Sequence, residues 1–199
     1  MGLMSLMGPM RPISPIKMST IFKHIFLPLA CCILSLMSCK EDISSVYSSK
    51  NRVQCGFNVA SYAELINCID NLGQFSSIRQ SGSKIIMSSS VSTNSYDFDA
   101  VSSRSFYFGL GGLIVGTPNL TSDGNPYRCY DLACPNCDRA SYRLSISDNG
   151  RAKCSHCGIV YDLNNNGSII DRGSSDFESP RVLYRYRITY DGMMIHMYN

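Results

Sequence analysis

"CPNCDRASYRLSISDNGRAKCSHC", residues 134–157, places four cysteines in two C-x-x-C pairs with sixteen residues between them. Each pair is short enough to wrap one tight turn in which backbone N–H groups point at sulfur and stabilise a thiolate. Between the pairs, Tyr142, Leu144 and Ile146 alternate with polar residues, the period of a half-buried strand. Asp148-Asn149-Gly150 then supplies a hairpin turn, because Asn-Gly tolerates positive φ. A hairpin between two knuckles brings four sulfurs face to face. Gly158, directly after the second pair, fits a knuckle that needs a residue at positive φ there. Tetrahedral sulfur suits zinc and also suits iron, and the spacing is that of a zinc site. The expected ligands are Cys134, Cys137, Cys154 and Cys157. Disulfides are the competing use of these thiols, and would have to cross from knuckle to knuckle or close small strained loops.

The pattern around this stretch is also that of strands. Tyr127, Cys129 and Asp131 alternate with Arg128, Tyr130 and Leu132. "GIVYDLNNNGSII" reads strand, turn, strand, and "RVLYRYRITYDGMMIHMYN" closes with two strands around Asp191-Gly192. Upstream, Val53, Cys55, Phe57 and Val59 alternate as a strand. Tyr62, Leu65, Ile66 and Ile69 fit a short helix ended by Gly73. Residues 81–105 are serine-rich but carry Ile85, Ile86, Val91, Tyr96 and Phe98, and read as short strands. "FYFGLGGLIVGTP", residues 106–118, lacks the glycine spacing and Gly-Lys-Ser/Thr of phosphate loops. It reads as a buried segment whose glycines permit close backbone approach. The expected fold is mainly β and antiparallel, with one or two short helices. A Cys55–Cys68 bridge is a further expectation, and Cys129 reads as a buried apolar residue.

The N-terminal part has another character. Residues 1–38 contain Arg11, Lys17 and Lys23 and no acid. Of 18 Lys plus Arg and 15 Asp plus Glu in the 199 residues, this leaves the remainder balanced. Such neutrality excludes a nucleic-acid binder, which needs a basic face. Lys23-His24 followed by the apolar run 25–37 reads as a signal peptide, too short for a membrane span. Met18 is an alternative start. Leu36-Met37-Ser38-Cys39 resembles a bacterial lipobox, which implies cleavage before Cys39 and its diacylation; an uncleaved signal anchor is the alternative. Lys40-Glu41-Asp42 resembles the signal that sends lipoproteins of Bacteroidetes-type bacteria to the cell surface, and equally suits a solvated spacer. The expected organisation is a leader over 1–38, a flexible tether over 39–52 and one domain over 53–199 with a metal-binding insert over 131–160.

The C-terminal part, from about residue 105, resembles a Rieske domain. "YDLACPNC" resembles its first ligand loop, "KCSHCGIVYDLNNNGSII" its second, and "PRVLYRYRITYDGMMIHMYN" its closing strands. The resemblance implies an antiparallel β-sandwich with the cluster-binding part inserted as two loops. Both ligand histidines are absent: Cys157 stands where the second would be, and the first loop is C-x-x-C. The histidine pair raises the potential of a Rieske cluster, so that chemistry does not carry over. The site is then a structural zinc, a single iron, or a four-cysteine two-iron cluster. The whole chain resembles small Rieske-like lipoproteins of Bacteroidetes-type bacteria.

His156 lies between ligands, so its side chain should face away from the metal, toward solvent or against a ligand. Met193, Met194, His196 and Met197 do not make a copper site, because a strand divides them between two faces. The acids are scattered, no G-x-S-x-G occurs, and beyond the leader only His156 and His196 remain, which argues against a hydrolase. Tyr184, Tyr186, Tyr190 and Tyr198 read as strand residues, with an exposed subset able to meet a glycan or protein partner. The expected function is a non-enzymatic, lipid-anchored envelope module stabilised by zinc, with iron-based electron transfer as the alternative.

Overall fold

The computed structural model describes residues 47–98, 105–121, 124–147, 149–174 and 176–199. The expected leader, the expected lipidation site at Cys39 and the start of the expected tether lie outside the described residues. Among them, no helix is long and apolar enough to cross a membrane.

The chain order is β1 (Val53–Asn58), a 3-10 turn (Val59–Ser61), α1 (Ala63–Asp70), β2 (Gln74–Ser81), β3 (Lys84–Ser88), β4 (Thr93–Asp97), β5 (Tyr107–Phe108) and β6 (Leu113–Thr117). There follow β7 (Arg128–Asp131), β8 (Leu144–Ile146), β9 (Arg151–Cys154), β10 (Val160–Asp162), β11 (Ser168–Asp171), β12 (Arg185–Tyr190) and β13 (Met194–Tyr198). Nine strands form one sheet in the order β4-β3-β2-β6-β7-β12-β13-β1-β5, and four form another in the order β11-β10-β9-β8. Every pairing is antiparallel. The fold is mainly β, as the alternation predicts, and α1 is short.

Two cores result from the two faces of the large sheet. One face carries Val53, Cys55, Phe57, Ile78, Ile85, Met87, Leu113, Val115, Cys129, Tyr186, Ile188, Ile195 and Met197, closed by Leu65, Cys68 and Ile69 of α1. The opposite faces of β2, β6 and β7 contribute Phe75, Ile114 and Tyr130, against which the small sheet packs Leu144, Ala152, Tyr161 and Leu163. Strands β6 and β7 are therefore buried on both faces. This explains their lack of simple apolar–polar alternation. The glycines in and just before β6 serve close approach, as expected: a Cβ on Gly116 would collide with the Gln74 carbonyl oxygen, and one on Gly111 would lie 2.8 Å from Ala133 N.

Three expectations need correction. Cys55 and Cys68 are not bridged; both are free buried thiols, and Cys68 Sγ donates to Leu65 O at 3.4 Å. Burial pushes the Cys68 thiol up to about 12 and the Cys55 and Cys129 thiols upward, which keeps all three protonated and inert. The end of the tether is docked. Ser48 N donates to Arg185 O at 2.7 Å, Lys50 Nζ pairs with Asp138 at 2.7 Å, and Arg52 covers the Tyr107 ring at 3.9 Å. Finally, the small sheet outruns residue 160, because a turn at Gly167 (φ +71°) folds β11 back onto β10.

Candidate metal centre

Cys134 comes three residues after the end of β7, and Cys154 is the last residue of β9. The β8–β9 hairpin pairs Leu144 with Cys154, while an isolated bridge joins Ala133 to Arg143. Both knuckles hang from this frame and share one design. Asp138 N donates to Cys134 O at 2.9 Å, and Gly158 N to Cys154 O at 3.0 Å. The residue after each second cysteine sits at positive φ: Asp138 at +53° and Gly158 at +77°. The need at Gly158 is legible in the sequence, whereas an aspartate in the matching position is not.

The four Sγ atoms all lie within 4.8 Å of one another. Two contacts cross between knuckles, Cys134–Cys157 at 3.7 Å and Cys137–Cys154 at 3.8 Å. A tetrahedral ion with metal–sulfur bonds of ~2.3 Å requires sulfur–sulfur edges of ~3.8 Å. The four cysteines can thus hold one metal ion. They are free cysteines, so the disulfide use is not adopted.

Electrostatics show what a cation would do there. Cys134 is fully buried, and burial alone would push its thiol up. The Tyr161 hydroxyl and the N–H groups of Cys137 and Asn136 outweigh this and hold it below its ordinary value. Burial, then the neighbouring sulfurs, pushes Cys137 upward. Burial chiefly, with Cys154 and Cys134 adding to it, pushes Cys157 up to about 11 despite a hydrogen bond from Ile159 N. Four thiolates at these distances repel one another; a divalent cation removes that repulsion and allows all four to ionise.

Several supporting groups are invisible in the spacing. Asn136 Nδ2 donates to Tyr161 OH at 2.7 Å, and Tyr161 OH lies 3.4 Å from Cys134 Sγ. Asn136 is tied to the backbone of Arg181 in both directions. The buried Asp131 carboxylate accepts from the N–H groups of Leu110, Gly111 and Ala133 and from Tyr186 OH, pinning the chain where it enters the first knuckle. Burial raises its carboxyl in spite of these donors.

His156 is exposed, outside the ligand set as expected. Its ring stacks on Tyr142 with centroids 3.9 Å apart, and Nδ1 lies 3.4 Å from Cys137 Sγ. The C-terminal methionines and histidine form no site: Ile195 and Met197 are in the core, whereas Met193 and His196 are exposed.

The turn Asp162–Gly167 has the D-x-N-x-N-G spacing of a calcium loop, yet its oxygens serve the protein. Asp162 Oδ1 accepts from Asn164 N and Asn164 Oδ1 from Asn119 N. Asn166 Oδ1 accepts from the guanidinium groups of Arg128 and Arg185. A polar cavity of about 740 Å³ beside it is lined by Asn119, Arg151 and Asn165 among others.

Fold and site together define a mainly β protein with a four-cysteine centre. Compared with known proteins, the chain matches no family model, no curated protein and no solved structure.

Proposed function

We propose that the protein is a lipid-anchored envelope module whose β domain is stabilised by one zinc ion on Cys134, Cys137, Cys154 and Cys157. The observation that carries this reading is the closeness of the four sulfurs, within 4.8 Å of one another. That spread suits one ion. A two-iron cluster divides four thiolates between two metals and needs a longer separation between the pairs. Zinc is preferred to a single iron because it contributes folding energy without a redox partner.

The Rieske-like reading is kept at the level of architecture. It is supported by the knuckles hanging from a small antiparallel sheet packed on a larger one. The lipid anchor rests on the lipobox-like segment ending at Cys39, a short distance before the first described residue, Tyr47. The module acts by binding, and a protein or glycan is the partner class that fits an anchored β domain.

Elemental analysis of the purified full-length protein, expressed without a metal-affinity tag, tests the reading. Zinc near one per chain with no visible absorption supports it. Iron with thiolate charge-transfer bands would replace it with envelope electron transfer at the same cysteines.

A further inference from the structure

The four sulfurs are not equally protected. Cys134 and Cys154 are fully buried and Cys157 is 8% exposed, whereas Cys137 is only partly buried. Around Cys137 the surface is polar, with the exposed His156, Asp138 and Arg139 at its mouth. A small polar molecule can therefore reach Cys137 more readily than the other three cysteines of the centre. The reachable sulfur lies 3.8 Å from Cys154 Sγ, in the other knuckle. The Cys134–Cys157 pair, at 3.7 Å, lies in the second core under Tyr161.

We propose that Cys137 is an oxidation site through which peroxide-class oxidants release the metal and convert the centre into a cross-knuckle disulfide. The inference rests on the zinc reading above. In the first step the Cys137 thiolate attacks one oxygen of hydrogen peroxide. The O–O bond breaks, the sulfur becomes a sulfenic acid, and hydroxide departs. The Cys154 thiolate then attacks the Cys137 sulfur, forming the S–S bond and expelling a second hydroxide. Two sulfurs have lost two electrons and the two peroxide oxygens have gained them. Zinc is left with Cys134 and Cys157 alone, too few ligands to hold it, and dissociates as the dication.

His156 gives the mouth its chemistry. Its ring is held flat on Tyr142, and Nδ1 stands 3.4 Å from the sulfur under attack, placing a hydrogen-bonding group beside the oxygen that leaves. Cys55, Cys68 and Cys129 take no part, because they are buried in the other core. The modification is reversible: a thiol reductant and zinc restore the centre, because the first product stops at a disulfide.

The test uses zinc-loaded, full-length protein titrated with hydrogen peroxide. Zinc is followed with a chromogenic chelator, and cross-links are mapped by mass spectrometry of unreduced peptides. The expected result is zinc release in step with a Cys137–Cys154 link, reversed by reductant and zinc. Zinc retained under excess peroxide overturns the inference. So does a first link within one knuckle, or Cys137 driven to sulfinic acid without a link. Failure to load zinc before any peroxide is added instead refutes the reading on which it rests.

Discussion

Cys137→Ser distinguishes a metal ligand from a merely packed cysteine. Cys137 is partly exposed, while Cys129, which is outside the cluster, is fully buried in the first core. If packing were all that mattered, Cys137→Ser would stay within about 0.5 kcal/mol of wild type, as surface changes do. Cys129→Ser would cost about 1–3 kcal/mol, because it leaves a hydroxyl unpaired in the first core. A metal reverses the order. A ligand present at about a thousand times its dissociation constant and bound only by the folded state stabilises by about 4 kcal/mol. Structural zinc on thiolates reaches that regime. Cys137→Ser should then cost about 4 kcal/mol or more in zinc-containing buffer. For a domain of this size each kcal/mol moves Tm by about 2–4 °C, so the variant should melt on the order of 10 °C lower. The assay is thermal unfolding by circular dichroism of wild type, Cys137→Ser and Cys129→Ser, with zinc and with a chelator. Chelator should bring wild type down to Cys137→Ser and leave that variant unmoved. A Cys137→Ser protein within about 2 °C of wild type, beside a wild type indifferent to chelator, would refute the reasoning.

Tyr161→Phe removes the hydroxyl beside Cys134 Sγ and should weaken zinc binding about 10–100-fold in a chelator competition, with unchanged affinity dismissing Tyr161 as a supporting donor. Ile114→Ala, on the face of β6 that meets the small sheet, should cost about 2–5 kcal/mol by urea unfolding; a loss under about 1 kcal/mol would mean the second core does not depend on it. Glu64, buried in α1, accepts from Ser92 Oγ, Asn94 Nδ2 and Tyr96 OH, which overcome burial and hold its carboxyl below the ordinary 4.5. Its stabilisation is present above the unfolded value and lost as pH falls through the lower folded value. Hydrogen-exchange protection in β4 should therefore fall in wild type as pH drops below the unfolded carboxyl's 4.5; equal acid sensitivity in Glu64→Gln would exclude this latch.

What could be read from the sequence was local. The two C-x-x-C pairs, the Asn149-Gly150 turn and the positive φ of Gly158 each depend on a few adjacent residues, and each is present. The alternation of Val53, Cys55 and Phe57 marks one buried face correctly. What escaped was contributed from a distance. Asp131 looks like an ordinary strand residue until Leu110, Gly111 and Tyr186 bring it their hydrogens. Tyr161 and Asn136 are 25 positions apart and meet only because the second knuckle folds over the first. Cys55 and Cys68 failed as a bridge because shared burial satisfies two cysteines as well as a bond does. The tether's composition is that of a linker, and nothing in it announces that Lys50 will find Asp138.

The position of β1 sets an order of assembly. It lies between β5 and β13, matched residue for residue with the latter from Gln54↔Tyr198 to Asn58↔Met194. The described strand nearest the N-terminus therefore waits for the one nearest the C-terminus before the first core can close. Until then its apolar face, Val53, Cys55 and Phe57, is without its seat. Contacts of such long sequence separation form slowly, and a nascent chain spends that interval open. A protein built this way can be threaded through a translocation channel from its N-terminus without first having to unfold.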